Sequence, residues 1–131
     1  MKYLIVYLGT LAAFGILDAL WLGVIMRKTY VNALGNLMRP DPKWWAILSF
    51  YGLFIVGLMI FGIIPHASQG AVKVALFSGL FGFFAYMTYE LTNASIIKGW
   101  PMSILIPDMI WGFCVSALAG VAGFFIYRAL F

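Results

Sequence analysis

The sequence predicts an all-α integral membrane protein with four transmembrane helices in a compact bundle. Of the 131 residues, 65% are hydrophobic and only 9% are charged, whereas soluble domains contain about 25% charged residues. Four apolar stretches also reach the roughly 20 residues that a helix needs to cross a bilayer core. These observations exclude a soluble enzyme, and the high hydrophobicity excludes a disordered chain.

The four predicted spans form a single transmembrane domain over residues 1–131. They run at about residues 3–26, 44–64, 74–97 and 102–127, and most of their ends carry Lys, Arg or a Pro-His pair. The first stretch could be mistaken for a cleaved signal peptide. We predict an uncleaved helix, because the apolar run continues to Met26 and no convincing small-x-small cleavage site follows a short apolar core.

The first loop predicts a short amphipathic helix lying on the membrane at about residues 30–38. Apolar residues recur there at helical spacing, and a Pro-Asp-Pro sequence stops the helix. Its predicted apolar face consists of Tyr30, Leu34, Leu37 and Met38. Three tryptophans are predicted to form an aromatic belt at the same membrane face. They are Trp44, Trp45 and Trp100.

The distribution of basic residues predicts the orientation of the chain. Five Lys and Arg residues fall in the first and third loops, and three fall on the other side of the membrane. Since Lys and Arg are enriched in cytoplasmic loops, these two loops are predicted to be cytoplasmic, with both termini outside.

Three of the four acidic residues lie inside predicted spans. Asp18, Glu90 and Asp108 each fall seven to nine residues from the same membrane face, which is roughly 10–13 Å along a helix. A charged residue deep in a span costs about 2.5–3.5 kcal/mol on insertion scales. We therefore predict that the three carboxyl groups face inward and meet, and that they would exchange protons as a coupled group.

Polar and aromatic neighbours extend this predicted cluster. Trp21 and Trp111 each follow an acid by three residues, which places each pair on one helix face. A buried indole N–H needs an acceptor, and a carboxylate offers one. Tyr86 and Asn93 lie on the same face as Glu90. The predicted ion- or substrate-binding residues are Asp18, Glu90, Asp108, Asn93, Tyr86, Trp21 and Trp111.

Other kinds of site lack the residues that they require. The chain has one cysteine and one histidine, too few for a disulfide, a thiolate cluster or a multi-histidine metal site. It contains no phosphate-binding glycine loop and no common hydrolase or metalloprotease motif. We therefore predict no catalytic residues, no metal, no cofactor and no nucleic-acid partner.

Four motifs resemble those of a family of small bacterial inner-membrane proteins that is classified as a domain of unknown function. They are Leu17-Asp18-Ala19-Leu20-Trp21-Leu22-Gly23, Tyr89-Glu90-Leu91-Thr92-Asn93, Lys98-Gly99-Trp100-Pro101 and Asp108-Met109-Ile110-Trp111-Gly112. The resemblance covers nearly the whole chain, although the family usually has Asp where this chain has Glu90. It implies a four-helix protein of the bacterial inner membrane and no established activity.

The carboxylate cluster favours proton- or cation-coupled transport. The expected partners are membrane lipid, protons or cations, and further copies of the chain, because four spans leave little room for a substrate path. Two alternatives stay open. Protonated, hydrogen-bonded acids also hold helices together in accessory or structural membrane proteins. A carboxyl group could instead serve a lipid-binding or lipid-modifying protein as a general acid or base, although no nucleophile accompanies it.

Overall fold

The computed structural model describes all of residues 1–131. The chain is 89% helical and has no strand. Five α-helices follow one another along the chain: α1 (Lys2–Leu20), α2 (Arg27–Leu34), α3 (Trp44–Leu58), α4 (Ala71–Ile96) and α5 (Met102–Leu130). The all-α prediction is confirmed.

Four helical segments are long and apolar enough to cross a membrane. Two of them are longer than their α-helices, because α1 continues through a π-helical turn at Trp21–Ile25 and α3 continues through Met59–Ile63 and a 3₁₀ segment at Ile64–Gln69. The full segments are Lys2–Ile25, Trp44–Gln69, Ala71–Ile96 and Met102–Leu130. They pack together as one bundle, which confirms the predicted four-span membrane fold.

Helices α4 and α5 form the most extensive contact in the bundle. Their backbones approach closely because glycines face small side chains. A Cβ added at Gly82 would overlap Ser116 Oγ and the Gly112 carbonyl oxygen, and one added at Gly120 would overlap Ser78 Oγ. Small residues at such contacts are typical of membrane helices, whose association depends on close packing rather than on exclusion of water.

Two apolar clusters fill the bundle below its loop-one end. The middle cluster contains Phe14, Phe54, Ile55, Leu58, Val115 and Ala119. The cluster nearer the chain termini contains Val6, Met59, Ile63, Ala67, Val74 and Phe124. The outer helix faces are also apolar and exposed, as at Val72 and Leu53, which fits contact with lipid. The carboxylates therefore lie above a packed apolar interior.

The first loop folds over one end of the bundle. The structure has α2 at Arg27–Leu34 and a 3₁₀ turn at Gly35–Leu37, whereas the sequence predicts a helix at about residues 30–38. Helix α2 ends earlier because Gly35 has φ +45° and ψ −114°, a conformation that glycine adopts readily. It begins earlier because the preceding π-helical turn ends at Ile25, and Met26 alone separates that turn from Arg27.

Candidate functional site: a carboxylate cavity

A cavity of about 520 Å³ opens among all five α-helices at the loop-one end of the bundle. Asp18 from α1, Glu90 from α4 and Asp108 from α5 all line it. Nine of the twelve lining residues are hydrophobic and none is basic. We call this space the carboxylate cavity; its lining is Asp18, Leu22, Tyr30, Leu34, Phe50, Ala85, Tyr86, Tyr89, Glu90, Trp100, Ile104 and Asp108.

All three acids are buried although no basic residue lines the cavity with them. The exposed fraction is 5% for Asp18, 1% for Glu90 and 8% for Asp108. Since a buried charge without a partner is costly, each carboxyl group needs hydrogen-bond donors, a proton or a bound cation.

Asp18 receives donors at both of its carboxylate oxygens. The Tyr51 hydroxyl from α3 donates to Oδ2, and the Trp111 indole N–H from α5 donates to Oδ1 at 3.0 Å. The side chain therefore joins three membrane spans. A carboxylate suits this position because it offers two acceptor oxygens, whereas an amide offers one.

Asp108 and Glu90 each receive one donor. The Tyr30 hydroxyl from α2 donates to Asp108 Oδ1 at 2.8 Å. The Trp100 indole N–H donates to Glu90 Oε2 at 2.7 Å. Both carboxyl groups line the same cavity.

Tyr30, like Trp100, is a donor that lies outside the membrane-spanning segments. Burial, and then the neighbouring Asp108 carboxylate, raise the pKa of its phenol well above the ordinary value of 10.0. The phenol is therefore neutral at physiological pH and able to donate to Asp108. Leu34 also lines the cavity from α2, so this short helix covers the site.

Comparison with known proteins identifies the family of this chain. A family model described as "Predicted membrane protein (DUF2177)" matches residues 3–125. The chain belongs to this family. No curated protein and no solved structure matches the chain. The family therefore places this small membrane protein among relatives of unknown function.

In this DUF2177 chain, Trp21 and Trp111 have different partners from those that sequence spacing predicts. The Trp111 indole N–H reaches Asp18 on another helix rather than Asp108 three residues away. The Trp21 ring stacks on the Trp111 ring, with centroids 4.5 Å apart and planes 3° apart. The buried Trp21 indole N–H has no hydrogen-bond acceptor, so the acceptor expected for it is absent.

Of the two other residues predicted for the site, the structure places one in the cavity and one outside it. Tyr86 lines the carboxylate cavity, but Asn93 does not. Asn93 lies near the end of α4, and its carbonyl oxygen accepts a hydrogen bond from the Ile97 N–H just after the helix. Asn93 is partly buried beside the cavity rather than within it.

Three donors were not predicted for the site. The sequence places Tyr30 and Trp100 at the membrane surface and predicts no role for Tyr51. The chain turns at Gly99, which has φ +70°, and the Trp100 indole then lies against Glu90. Tyr51 lies seven residues after Trp44, about 10 Å along the helix. Tyr51 therefore lies at about the depth of the acids, and this depth is the signal in the sequence that points to it.

Proposed function

We propose that this protein is a small proton- or cation-coupled membrane transporter and that the carboxylate cavity is its ion-binding site. One observation supports the proposal above all others: three buried carboxyl groups from three spans line a single cavity with no basic side chain. Intramembrane acids that face a cavity are typical of ion pathways and proton relays.

The chemistry of coupling follows from the hydrogen bonds. Tyrosine and tryptophan donors stabilise the carboxyl groups but do not neutralise them. Protons or a cation must supply the missing positive charge. Because both would bind the same oxygens, filling the site with one lowers its affinity for the other. This competition is what a coupled transporter needs.

Passage to the other membrane face requires a change of conformation. Beneath the cavity lie the close α4–α5 contact and two apolar clusters. We propose that the protein works as a homo-oligomer in the bacterial inner membrane, with its first and third loops in the cytoplasm. Membrane-impermeant labelling of cysteines placed at Asn36 and Gln69 tests this orientation: position 36 should be protected in intact cells and position 69 should react.

A structural role is the second candidate, and the hydrogen bonds favour it. Each acid already has an aromatic donor from another part of the chain, so the acids connect α1, α2, α3 and α5. In an accessory protein these links would stabilise the bundle without exchanging ions.

Glu90→Gln and Asp108→Asn separate the two candidates. Each amide oxygen can still accept from Trp100 or Tyr30, while the ionisable proton is lost. For a transporter, we expect near-normal thermal stability in detergent and a loss of pH-dependent cation binding or flux across about pH 5–9. Asp18→Asn is less informative, because an amide cannot accept from both Tyr51 and Trp111.

The matched control is Asp41→Asn, which removes an exposed acid in the first loop. It should leave both stability and pH response unchanged. Wild-type pH response in Glu90→Gln and Asp108→Asn would end the transport proposal. Unfolding of both variants, with the control intact, would place the structural role first.

A further inference from the structure

We propose that the carboxylate cavity takes a hydrophobic organic cation, bound by Glu90 and Asp108 and surrounded by aromatic side chains. This inference rests on the proposed transport function and names the class of its substrate. It also gives the acids different roles. Glu90 and Asp108 bind the ligand, whereas Asp18 positions the helices and does not contact the ligand.

The assignment of contact atoms comes from counting acceptor oxygens. Both oxygens of Asp18 already accept hydrogen bonds. Glu90 uses only Oε2 and Asp108 uses only Oδ1 for such bonds. The oxygens of this pair that accept no hydrogen bond are Oε1 of Glu90 and Oδ2 of Asp108, and the proposal assigns these to the ligand. Both carboxyl groups line the carboxylate cavity.

The donor set does not suit a bare metal ion. Calcium takes about six to eight oxygen ligands, and magnesium requires near-octahedral oxygen coordination. The structure has no group of three or more His, Cys, Asp or Glu residues placed to hold a metal ion. Two free carboxylate oxygens in a mainly hydrophobic wall offer too little coordination for such ions.

The wall instead suits an organic cation with an apolar body. Phe50, Tyr86, Tyr89 and Trp100 line the cavity, and aromatic faces attract cations through their ring quadrupoles. The volume of about 520 Å³ falls within the range of about 300–1,000 Å³ that is usual for small-molecule sites. The apolar body of such a ligand would pack against the hydrophobic and aromatic side chains of the wall, and its positive charge would pair with the carboxyl groups.

The test compares two probes of nearly the same shape and opposite charge, tetraphenylphosphonium and tetraphenylborate. Equilibrium binding is measured with the full chain in phosphatidylcholine nanodiscs, and protein-free nanodiscs report the partition into lipid. We expect saturable binding of the phosphonium only. Asp108→Asn and Glu90→Gln should each weaken it by about tenfold or more, and Asp41→Asn should not change it.

The inference is overturned if the borate binds as well as the phosphonium. It is also overturned if phosphonium binding is insensitive to both acid variants, or if millimolar Mg²⁺ or Na⁺ binds the same acids in place of the phosphonium.

These experiments distinguish failure of the proposed substrate class from failure of the proposed transport function. Saturable, acid-dependent phosphonium binding without flux in proteoliposomes would support the substrate class and contradict transport. A pH response that depends on Glu90 or Asp108, with no phosphonium binding above the lipid background, would contradict the substrate class and leave transport standing.

Discussion

Asp18 shows why a single buried residue can require a carboxylate rather than any polar group. Its two oxygens accept from α3 and α5 while its backbone belongs to α1. Hydrogen bonds to charged groups contribute about 1.5–3 kcal/mol, more than the average of about 0.6 kcal/mol measured between membrane helices. The bonds to Asp18 are therefore expected to be among the strongest polar links in the bundle.

Tyr51→Phe should reveal the strength of one of these links. The substitution keeps the ring but leaves Asp18 Oδ2 without its donor, so we expect a loss of about 1.5–3 kcal/mol in the free energy of unfolding. Reversible denaturation in mixed micelles measures this loss. Tyr7→Phe is the matched control, since the Tyr7 hydroxyl donates only to the Gly52 carbonyl oxygen, and it should cost about 0.6 kcal/mol. Equal losses would mean that Asp18 gives Tyr51 no special stabilisation.

At the scale of residues, the sequence located the acids better than their partners. Depth could be read from the spacing of each acid to a charged or aromatic span end, and the three acids do line one cavity. Helical spacing predicts that each acid has its hydrogen-bonding partners three or four residues away on the same helix. Trp111 instead reaches an acid 93 residues away, because helix rotation and packing decide which faces meet.

At the scale of helices, the contact between α4 and α5 depends on the absence of side chains. The Cβ of an alanine at position 82 would overlap the Gly112 carbonyl oxygen and the Ser116 side chain. Backbone atoms cannot rotate away as a flexible side chain can. The two helices would have to separate to accept the extra carbon.

Gly82→Ala should therefore destabilise the protein by about 1–3 kcal/mol, the usual cost of overpacking. Gly15→Ala is the control, because a Cβ at Gly15 meets nothing within 4 Å. Relief of glycine's entropy cost should make that change neutral or stabilising by about 0.5–1 kcal/mol. Thermal unfolding in detergent compares the two, and a neutral Gly82→Ala would contradict the close approach of α4 and α5.

Helix α2 is attached to the cavity through Tyr30. Tyr30→Phe removes its hydrogen bond to Asp108, and we expect faster backbone hydrogen exchange throughout α2 at neutral pH. The control is Asn32→Ala, which alters an exposed residue of the same helix. If the two variants exchange alike, the Tyr30 hydroxyl does not hold α2 in place.

The same bond predicts a dependence on alkaline pH. Burial and the Asp108 carboxylate raise the pKa of Tyr30 above 10.0 when α2 is docked, whereas the pKa of an undocked tyrosine stays near 10. Docking is therefore fully favoured below about pH 10 and is lost as the pH rises through the raised value. Tyrosine absorbance, titrated as the difference between wild type and Tyr30→Phe, should give a midpoint above 10.

The helices also differ in how well the sequence predicts them. Long apolar runs predict the four spans because a lipid-exposed backbone must satisfy its hydrogen bonds within a helix. The π-helical turns at Trp21–Ile25 and Met59–Ile63 have no comparable signal in hydropathy. The early end of α2 depends on the backbone conformation of Gly35, which the apolar spacing around it does not indicate.

At the scale of the whole molecule, charge and apolar packing are unevenly distributed. Acids line a cavity at one end, and the interior toward the other end is apolar and closely packed. Five of the eight basic residues lie in the loops at the cavity end: Arg27, Lys28, Arg39, Lys43 and Lys98. The sequence predicts the common depth of the acids and the basic bias of the loops at that end, but not the close apolar packing toward the other end. It could not predict the cavity volume, which depends on how all five helices pack.

Proton release on cation binding tests the proposed ion exchange most directly. Tetraphenylphosphonium is added to purified protein in weakly buffered detergent solution, and released protons are counted with a pH indicator across about pH 5–9. We predict proton release from the wild type and a loss of that release in both Asp108→Asn and Glu90→Gln. Phosphonium binding with no proton release at any pH in this range, or equal release from the wild type and both variants, would contradict proton–cation exchange at the carboxylate cavity.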